Sequence, residues 1–313
     1  MVKGQVAVGI IAIAVIAVIA VIVFLYYKPN TNGGGTKYKN DIITVEKSTV
    51  SNSNPYPGST TSISIIIKNN GDKKTSEYSP DGVEVNFDNI AGLNFKGLEC
   101  EGGRQISHSC IFDSLDPMDT RAVVLTLEVP EESVRNPFVE YFVKYTYTGF
   151  RKADIPIVED STRTPLSKFS QSSTSLGPIT MEFEFPAQRE TRVDNQVIKE
   201  YLVVGSNPFE LKVKIKHVGT VANVEPTKIE PNNIILDLRN NFRKETSLRC
   251  DFDESGGKLY STEEVEVPEE LKCNLVFTLD PNPETLGSIW GEITYDYQFR
   301  RKETFTVKEL PKT

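Results

Sequence analysis

The chain opens on a long apolar run and then changes period. From Val6 to Leu25 it reads VAVGIIAIAVIAVIAVIVFL, and no charged side chain falls between Lys3 and Lys28. About 20 such residues, rising about 1.5 Å each as a helix, span the roughly 30 Å hydrocarbon core of a bilayer. Fourteen of these twenty are Val, Ile, Leu or Phe, and each favours insertion by about 0.3–0.6 kcal/mol near the bilayer centre. Tyr26 and Tyr27 follow at the depth of an aromatic belt. The run predicts one N-terminal transmembrane α-helix. It is too long and too uniform for a buried core helix. Tyr26, Tyr27, Lys28 and Pro29 do not form the small-residue site of a cleaved secretory signal.

After residue 30 the period becomes two. Ser62–Ile65, Val83–Phe87, Val139–Tyr147 and Phe209–Ile215 alternate apolar and polar side chains. Such alternation sends one face of a strand to a core and the other to water. Short strands broken by Gly, Pro and Asn predict antiparallel sandwiches, and no long amphipathic helix interrupts them.

The alternating region repeats itself. Ile67-Lys68-Asn69-Asn70-Gly71 matches Ile215-Lys216-His217-Val218-Gly219, an offset of 148. Leu98-Glu99-Cys100 matches Leu248-Arg249-Cys250, and Val124 to Leu127 matches Val276 to Leu279, at offsets of 150 and 152. Tyr145-Thr146-Tyr147 with Phe150-Arg151-Lys152 matches Tyr295-Asp296-Tyr297 with Phe299 to Lys302, with the tyrosines again 150 apart. A nearly constant offset over four ordered blocks predicts two copies of one domain. The expected order is an anchor at 1–28, a Gly- and Asn-rich linker at 29–41, a first sandwich at 42–160, a Ser/Thr/Gln-rich linker at 161–177 and a second sandwich at 178–310.

Two resemblances add to this. Pro57-Gly58-Ser59, the alternating strand after it and Asn69-Asn70-Gly71 resemble the opening of CARDB-like and related S-layer-associated immunoglobulin-like modules of archaeal and bacterial surfaces. Leu115-Asp116-Pro117 before Val123–Val129 resembles their proline-bearing turn and next strand. The second copy carries His217-Val218-Gly219 where the pattern has Asn-x-Gly. The resemblance implies an all-β fold, two tandem Ig-like antiparallel β-sandwiches after the N-terminal transmembrane helix, with an adhesive, spacing or scaffolding role and no catalytic residues. Lys3-Gly4-Gln5 before the apolar run resembles the processing site of archaeal type IV pilin precursors, cut between Gly4 and Gln5. Gly9 stands where many of those pilins carry Glu.

Composition narrows the function classes. The net charge is −8 with a pI near 5.1, against a nucleic-acid binder or a polybasic membrane patch. The four cysteines fall as one close pair per half. Local disulfides Cys100–Cys110 and Cys250–Cys273 are the simplest reading, and they imply an oxidising compartment. Four buried thiols are the alternative. The flanking lysines do not settle orientation, so placement of the C-terminal domains outside the cytoplasm rests on these cysteines.

With two histidines in separate halves and no G-x-S-x-G, phosphate-loop or H-E-x-x-H motif, the chain reads as no enzyme, with no cofactor and no metal. The acidic clusters Glu128/Glu131/Glu132 and Glu263–Glu270 lack a calcium-loop pattern. Arg151-Lys152 and Arg300-Arg301-Lys302 recur at matching places, as strand-end charges or as a basic spot for an acidic partner. Trp290 reads as core. The function expected is a single-pass surface protein, in contact with the membrane and with a protein partner in the envelope. A pilin-like filament subunit and a ligand-binding accessory subunit are the alternatives.

Overall fold

The computed structural model describes residues 40–309, apart from 133–134, 160–166, 174–176, 188, 194–195, 206, 226, 240–241 and 279–284. The predicted membrane helix, with Gly4 and Gln5, lies outside the described residues. Among those described, no helix is long and apolar enough to cross a membrane.

Strands account for nearly all the order. The first half holds β1 (Ile43–Val50), β2 (Thr60–Asn69), β3 (Val83–Ala91), β4 (Asn94–Cys100), β5 (Arg104–Ile106), β6 (Ser109–Phe112), β7 (Thr120–Glu128) and β8 (Phe138–Val158). Next come β9 (Ser170–Ser173), β10 (Ile179–Glu184), β11 (Arg189–Val193), β12 (Gln196–Glu200), β13 (Val203–Val204) and β14 (Phe209–His217). The rest are β15 (Lys228–Ile229), β16 (Ile234–Arg239), β17 (Phe242–Lys244), β18 (Phe252–Ser255), β19 (Lys258–Ser261), β20 (Val265–Glu266), β21 (Glu269–Phe277) and β22 (Thr285–Thr304).

The pairing follows the alternation. In β2 the residues Thr61, Ile63, Ile65, Ile67 and Asn69 are buried, while those between them are partly exposed. Each fully buried Ile contributes about 1.5–3 kcal/mol of transfer free energy. One four-stranded sheet runs β1-β2-β7-β4 and another β10-β14-β21-β17. A larger sheet runs β18-β19-β16-β22-β8-β3-β6-β5, with β9 and β13 also paired to β8. The strand β9 lies within the predicted 161–177 linker.

Each half is an Ig-like sandwich. Strands β1, β2, β7 and β4 take the A-B-E-D order of an immunoglobulin sheet, and β3 and β8 take the C and F places of the facing sheet. The second half repeats the order with β10, β14, β21 and β17 opposite β16 and β22. An immunoglobulin domain would place a G strand on the open side of F. Here the two F strands take that place for each other.

The pair β8–β22 runs antiparallel without a break from Phe138↔Thr304 to Ile157↔Thr285. An uncovered F edge would present unpaired backbone groups to any other strand, and this pairing removes both such edges at once. The register sets Tyr145 against Tyr297, Tyr147 against Tyr295 and Thr146 against Asp296. Thr146 and Asp296 are themselves 150 positions apart, so equivalent sites face each other at a local two-fold. That is the geometry of an isologous interface, drawn within one chain. The buried side chains of both halves form one continuous core.

Candidate functional site at the junction of the halves

The tyrosines of the repeated blocks meet at the two-fold. The rings of Tyr145 and Tyr297 lie 5.5 Å apart and those of Tyr147 and Tyr295 5.9 Å, in tilted contacts. Tyr78 meets Tyr147 edge-on at 5.1 Å. Burial pushes the phenols of Tyr145 and Tyr295 well above the usual tyrosine range, so they are neutral packing groups. The Tyr295 hydroxyl accepts from the Ile179 amide at 3.1 Å. On the outer face Asp296 accepts from the Thr146 hydroxyl at 2.8 Å and pairs with Lys144 at 2.8 Å. Burial alone would raise the Asp296 pKa, but these two donors more than offset it and the carboxyl titrates low.

The first described residues are stitched into this junction. Asn40 Nδ2 donates to the Val218 carbonyl at 3.1 Å. Asp41 is 1% exposed, and its Oδ2 accepts from the Thr220 amide at 2.8 Å and hydroxyl at 2.7 Å. Its Oδ1 has no hydrogen-bond partner. Gly219 makes the close approach possible, because a Cβ there would sit 2.5 Å from that oxygen. On the other side, the Ile42 carbonyl accepts from Asn70 at 2.7 Å, and Asn70 Nδ2 donates to Thr44 Oγ1 at 2.8 Å. The segment 40–44 is thus bonded to the turn that closes β2 and to the turn that closes β14, one in each half. Sequence reasoning placed Asp41 at the end of a flexible linker. The available signal was a carboxylate set directly before two buried isoleucines.

The two turns use different side chains. Buried Asn69 donates to the Lys73 carbonyl at 2.8 Å and the Leu115 carbonyl at 3.0 Å, and accepts from the Gly71 amide at 2.9 Å. His217, at the equivalent place, is exposed, shares a 2.9 Å hydrogen bond with the Tyr297 hydroxyl and stacks on its ring. Partial burial lowers the His217 pKa, and Asp41 opposes that shift.

The other residues singled out by sequence are distributed as follows. Cys100 is bonded to Cys110 and Cys250 to Cys273, and among the described residues no cysteine is free. His108 packs its ring 4.6 Å from Phe95. Four of the five repeated basic residues are taken up within the chain, while the Nε of the fifth, Arg301, is buried without a hydrogen-bond partner. Lys152 pairs with Asp154, Arg300 with Asp88 and Glu225, Lys302 with Glu140, and Arg151 bonds Gln171. Trp290 departs from the expectation of a core residue. It occupies an outward position of β22, partly exposed, with Arg239 at 4.6 Å and Lys152 at 5.7 Å from its ring. The inward positions of β22 are odd-numbered, and 290 is not. Among the described residues, no group of three or more His, Cys, Asp or Glu is placed to hold a metal ion.

A cavity of about 280 Å³ opens beside β8 at this junction, lined by Tyr78, Tyr147, Phe150, Asp72, Glu77 and Glu292, with Ile42 and Lys73 among its other walls. A second hollow, of about 460 Å³, lies in the second half against Phe169, Phe185 and Tyr201.

No family model matches the chain, and no curated protein matches it. Among solved structures it is similar to the C-terminal domain of the Streptococcus agalactiae AgI/II polypeptide BspA, at 8% identity over 82% of this chain and 93% of that one, with a TM-score of 0.17. It is also similar to the collagen adhesin CNA of S. aureus, at 9% identity over 85% and 87% of the two chains and a TM-score of 0.14. A third, the collagen-binding domain of Erysipelothrix rhusiopathiae surface protein RspB, gives the same identity, coverage and score. At scores this low the fold assignment stays with the strand order and register above.

Proposed function

We propose that this chain is a membrane-anchored surface protein, in which the apolar helix at 6–25 and a short tether carry a two-lobed Ig-like body outside the cytoplasm. The lobes are copies of one domain, and the body serves adhesion, spacing or scaffolding in the cell envelope, against a protein partner. The observation that carries this reading is the stitching of residues 40–44 to both halves. A pull on the tether is then borne by the junction as a whole, not by the edge of one lobe. The shared β8–β22 pairing makes the lobes one rigid body, and the two disulfides support an oxidising surroundings.

The test is topological. Intact cells are treated with a membrane-impermeant reductant and then with an impermeant maleimide. Labelling of the cysteines without lysis is the expected result, and removal of residues 6–25 releases the body in soluble form. Labelling that requires lysis sinks the proposal. N-terminal sequencing of the native chain separates its two forms. A start at Gln5 identifies a pilin-like, processed subunit, and a start at Met1 or Val2 a permanent anchor.

A further inference from the structure

The two-fold leaves one stretch of edge covered in one half and open in the other. Even-numbered residues of β22 turn their backbone groups away from β8. The Gln298 carbonyl accepts from the Glu225 amide at 3.1 Å, and the Arg300 amide donates to the Asn223 carbonyl at 3.0 Å. Past the end of β22, the Thr306 and Lys308 amides donate to the Ser53 and Pro55 carbonyls at 2.9 Å. Between these two covered stretches, the outward backbone groups of Lys302 and Thr304 have no partner among the described residues. Moving by 150 residues leads to β8, where the same places are filled. There β9 pairs with Arg151–Asp154, and β13 pairs with Ile157 and Val158 as the 53–55 segment does with the end of β22.

One side chain of β9 also closes the neighbouring sheet. Gln171 Nε2 donates to the Phe183 carbonyl at 2.6 Å, and its Oε1 accepts from the Phe183 amide at 2.9 Å and from Arg151 Nε at 3.3 Å. The counterparts of all three groups stand open in the first half. Arg301 is the counterpart of Arg151, and its Nε is buried without a partner. Ser48 stands opposite Ile65 as Phe183 stands opposite Val213, so it is the counterpart of Phe183, on the edge strand β1. The Ser51 amide bonds the Ser62 carbonyl across that ladder at 2.9 Å, and alternation then turns the backbone groups of Ser48 outward. Of Ser48 only the hydroxyl is engaged, donating to Glu303 at 2.6 Å. The residues that precede β1 as β9 precedes β10 are Gly34-Gly35-Thr36-Lys37, with Gly35 in the place of Gln171. The chain's own sequence therefore offers no side-chain amide for this place.

We propose that the edge of β22 at 301–304 takes one extended strand of a partner protein, added antiparallel, with a glutamine opposite Glu303. Backbone pairing to Lys302 and Thr304 supplies the attachment, as in other strand additions to an open edge. The glutamine supplies the selectivity. Its carbonyl accepts from Arg301 and the Ser48 amide while its NH₂ donates to the Ser48 carbonyl. A carboxylate could satisfy the two donors but would leave that carbonyl unmet. The proposal rests on the reading of a surface protein with a protein partner, and it gives that partner's mode of attachment. Its test uses the purified chain, so its failure and the failure of the labelling test on cells are distinguishable.

The full chain in non-ionic detergent is titrated with an acetylated, amidated peptide copying Lys168–Ser173, followed by ligand-observed NMR. The peptide is expected to saturate. The same peptide with Leu in the place of Gln171 is expected to bind at least fivefold more weakly, and one N-methylated at the Ser172 position not to bind, because that amide pairs with the edge. In the chain, Lys302→Pro removes one outward amide and no bond to β8, a position where an edge strand tolerates proline. It is expected to abolish binding with the melting temperature kept. Arg301→Met is expected to weaken the glutamine peptide at least fivefold and to leave the leucine peptide unchanged. Equal binding of the glutamine and leucine peptides overturns the proposal, and so does full affinity in Lys302→Pro. Binding that appears only after residues 31–38 are deleted identifies the chain's own N-terminal segment as the occupant and overturns it as well.

Discussion

The two halves share a strand order and differ in how they fill it. Near the start of the F strand, β8 carries Tyr141, fully buried with its ring 5.7 Å from that of Phe87. The equivalent residue of β22 is Gly291, where an added Cβ would run into Met181 and come within 2.7 Å of Phe183. One half fills that part of its core from the F strand and the other from the facing strand β10. The cysteines tell the same story. Cys100 and Cys250 are equivalent, yet Cys100 bonds across the sandwich to Cys110 on β6, and Cys250 bonds within its own sheet to Cys273 on β21. Between the first two strands of each sandwich the first half uses residues 51–59, and the second inserts 185–208 with the hairpin β11–β12. Backbone order is thus set by alternation and pairing, which both halves keep. Core volume and crosslinks are settled locally, and each half has its own solution.

The largest expected effect comes from breaking the F-strand difference. Tyr141→Ala empties a ring-sized volume with nothing opposite to fill it, at about 3–5 kcal/mol. Gly291→Ala overfills the matching place, at about 1–3 kcal/mol. Both are read from urea unfolding of the chain. Equal and small costs would mean that the two cores are interchangeable at this position. Next come the disulfides. Each closes a short loop and is expected to contribute about 3 kcal/mol in the chain-entropy model. They differ in what they hold. Cys110→Ala frees β5 and β6 from the opposite sheet, so hydrogen exchange should rise across 104–112. Cys273→Ala leaves β21 in its ladder between β14 and β17. Protection lost to the same extent around both sites would contradict the distinction. A smaller cost, about 2 kcal/mol, is expected for Asn69→Ala, which leaves buried carbonyls and the Gly71 amide without their partner. The exposed His217 should tolerate Ala better, and a larger loss at His217 than at Asn69 would reverse the comparison.

Much of this plan was legible in the sequence. The period-two runs gave the strands because one-sided burial leaves a direct trace in residue order, as in Ile63, Ile65 and Ile67. The repeated Tyr-x-Tyr blocks and the close cysteine spacing were visible for the same local reason. The junction was not legible. Pairing of β8 with β22 joins residues about 150 apart, and a strand's own alternation does not say which neighbour will cover its edge. Trp290 was misjudged because a single aromatic carries no phase until its strand is known. The cavity lining combines three separate segments, so no window of the sequence holds it. Asp41 looked like linker because its partner Thr220 lies 179 residues away.

The smallest expected effect tests the one ionisable difference between the two turns. Asn69 does not titrate. His217 has its pKa lowered in the folded chain, by partial burial against Tyr297 and despite Asp41. The unfolded chain therefore takes up the proton first as pH falls. Stability is complete above the unfolded value of about 6.5 and is lost as pH drops through the lower folded value. The imidazole is exposed, so water screens the change and the slope is shallow. Replacing His217 with the residue of the other half, His217→Asn, should flatten the part of the stability profile between about pH 7.5 and 5.5 that this group controls. Carboxylates such as Asp296 titrate lower and contribute alike to both proteins, so the difference between the two urea midpoints isolates the imidazole. A difference that stays constant with pH would show that the His217–Tyr297 contact is indifferent to charge. The two turns would then differ in shape alone.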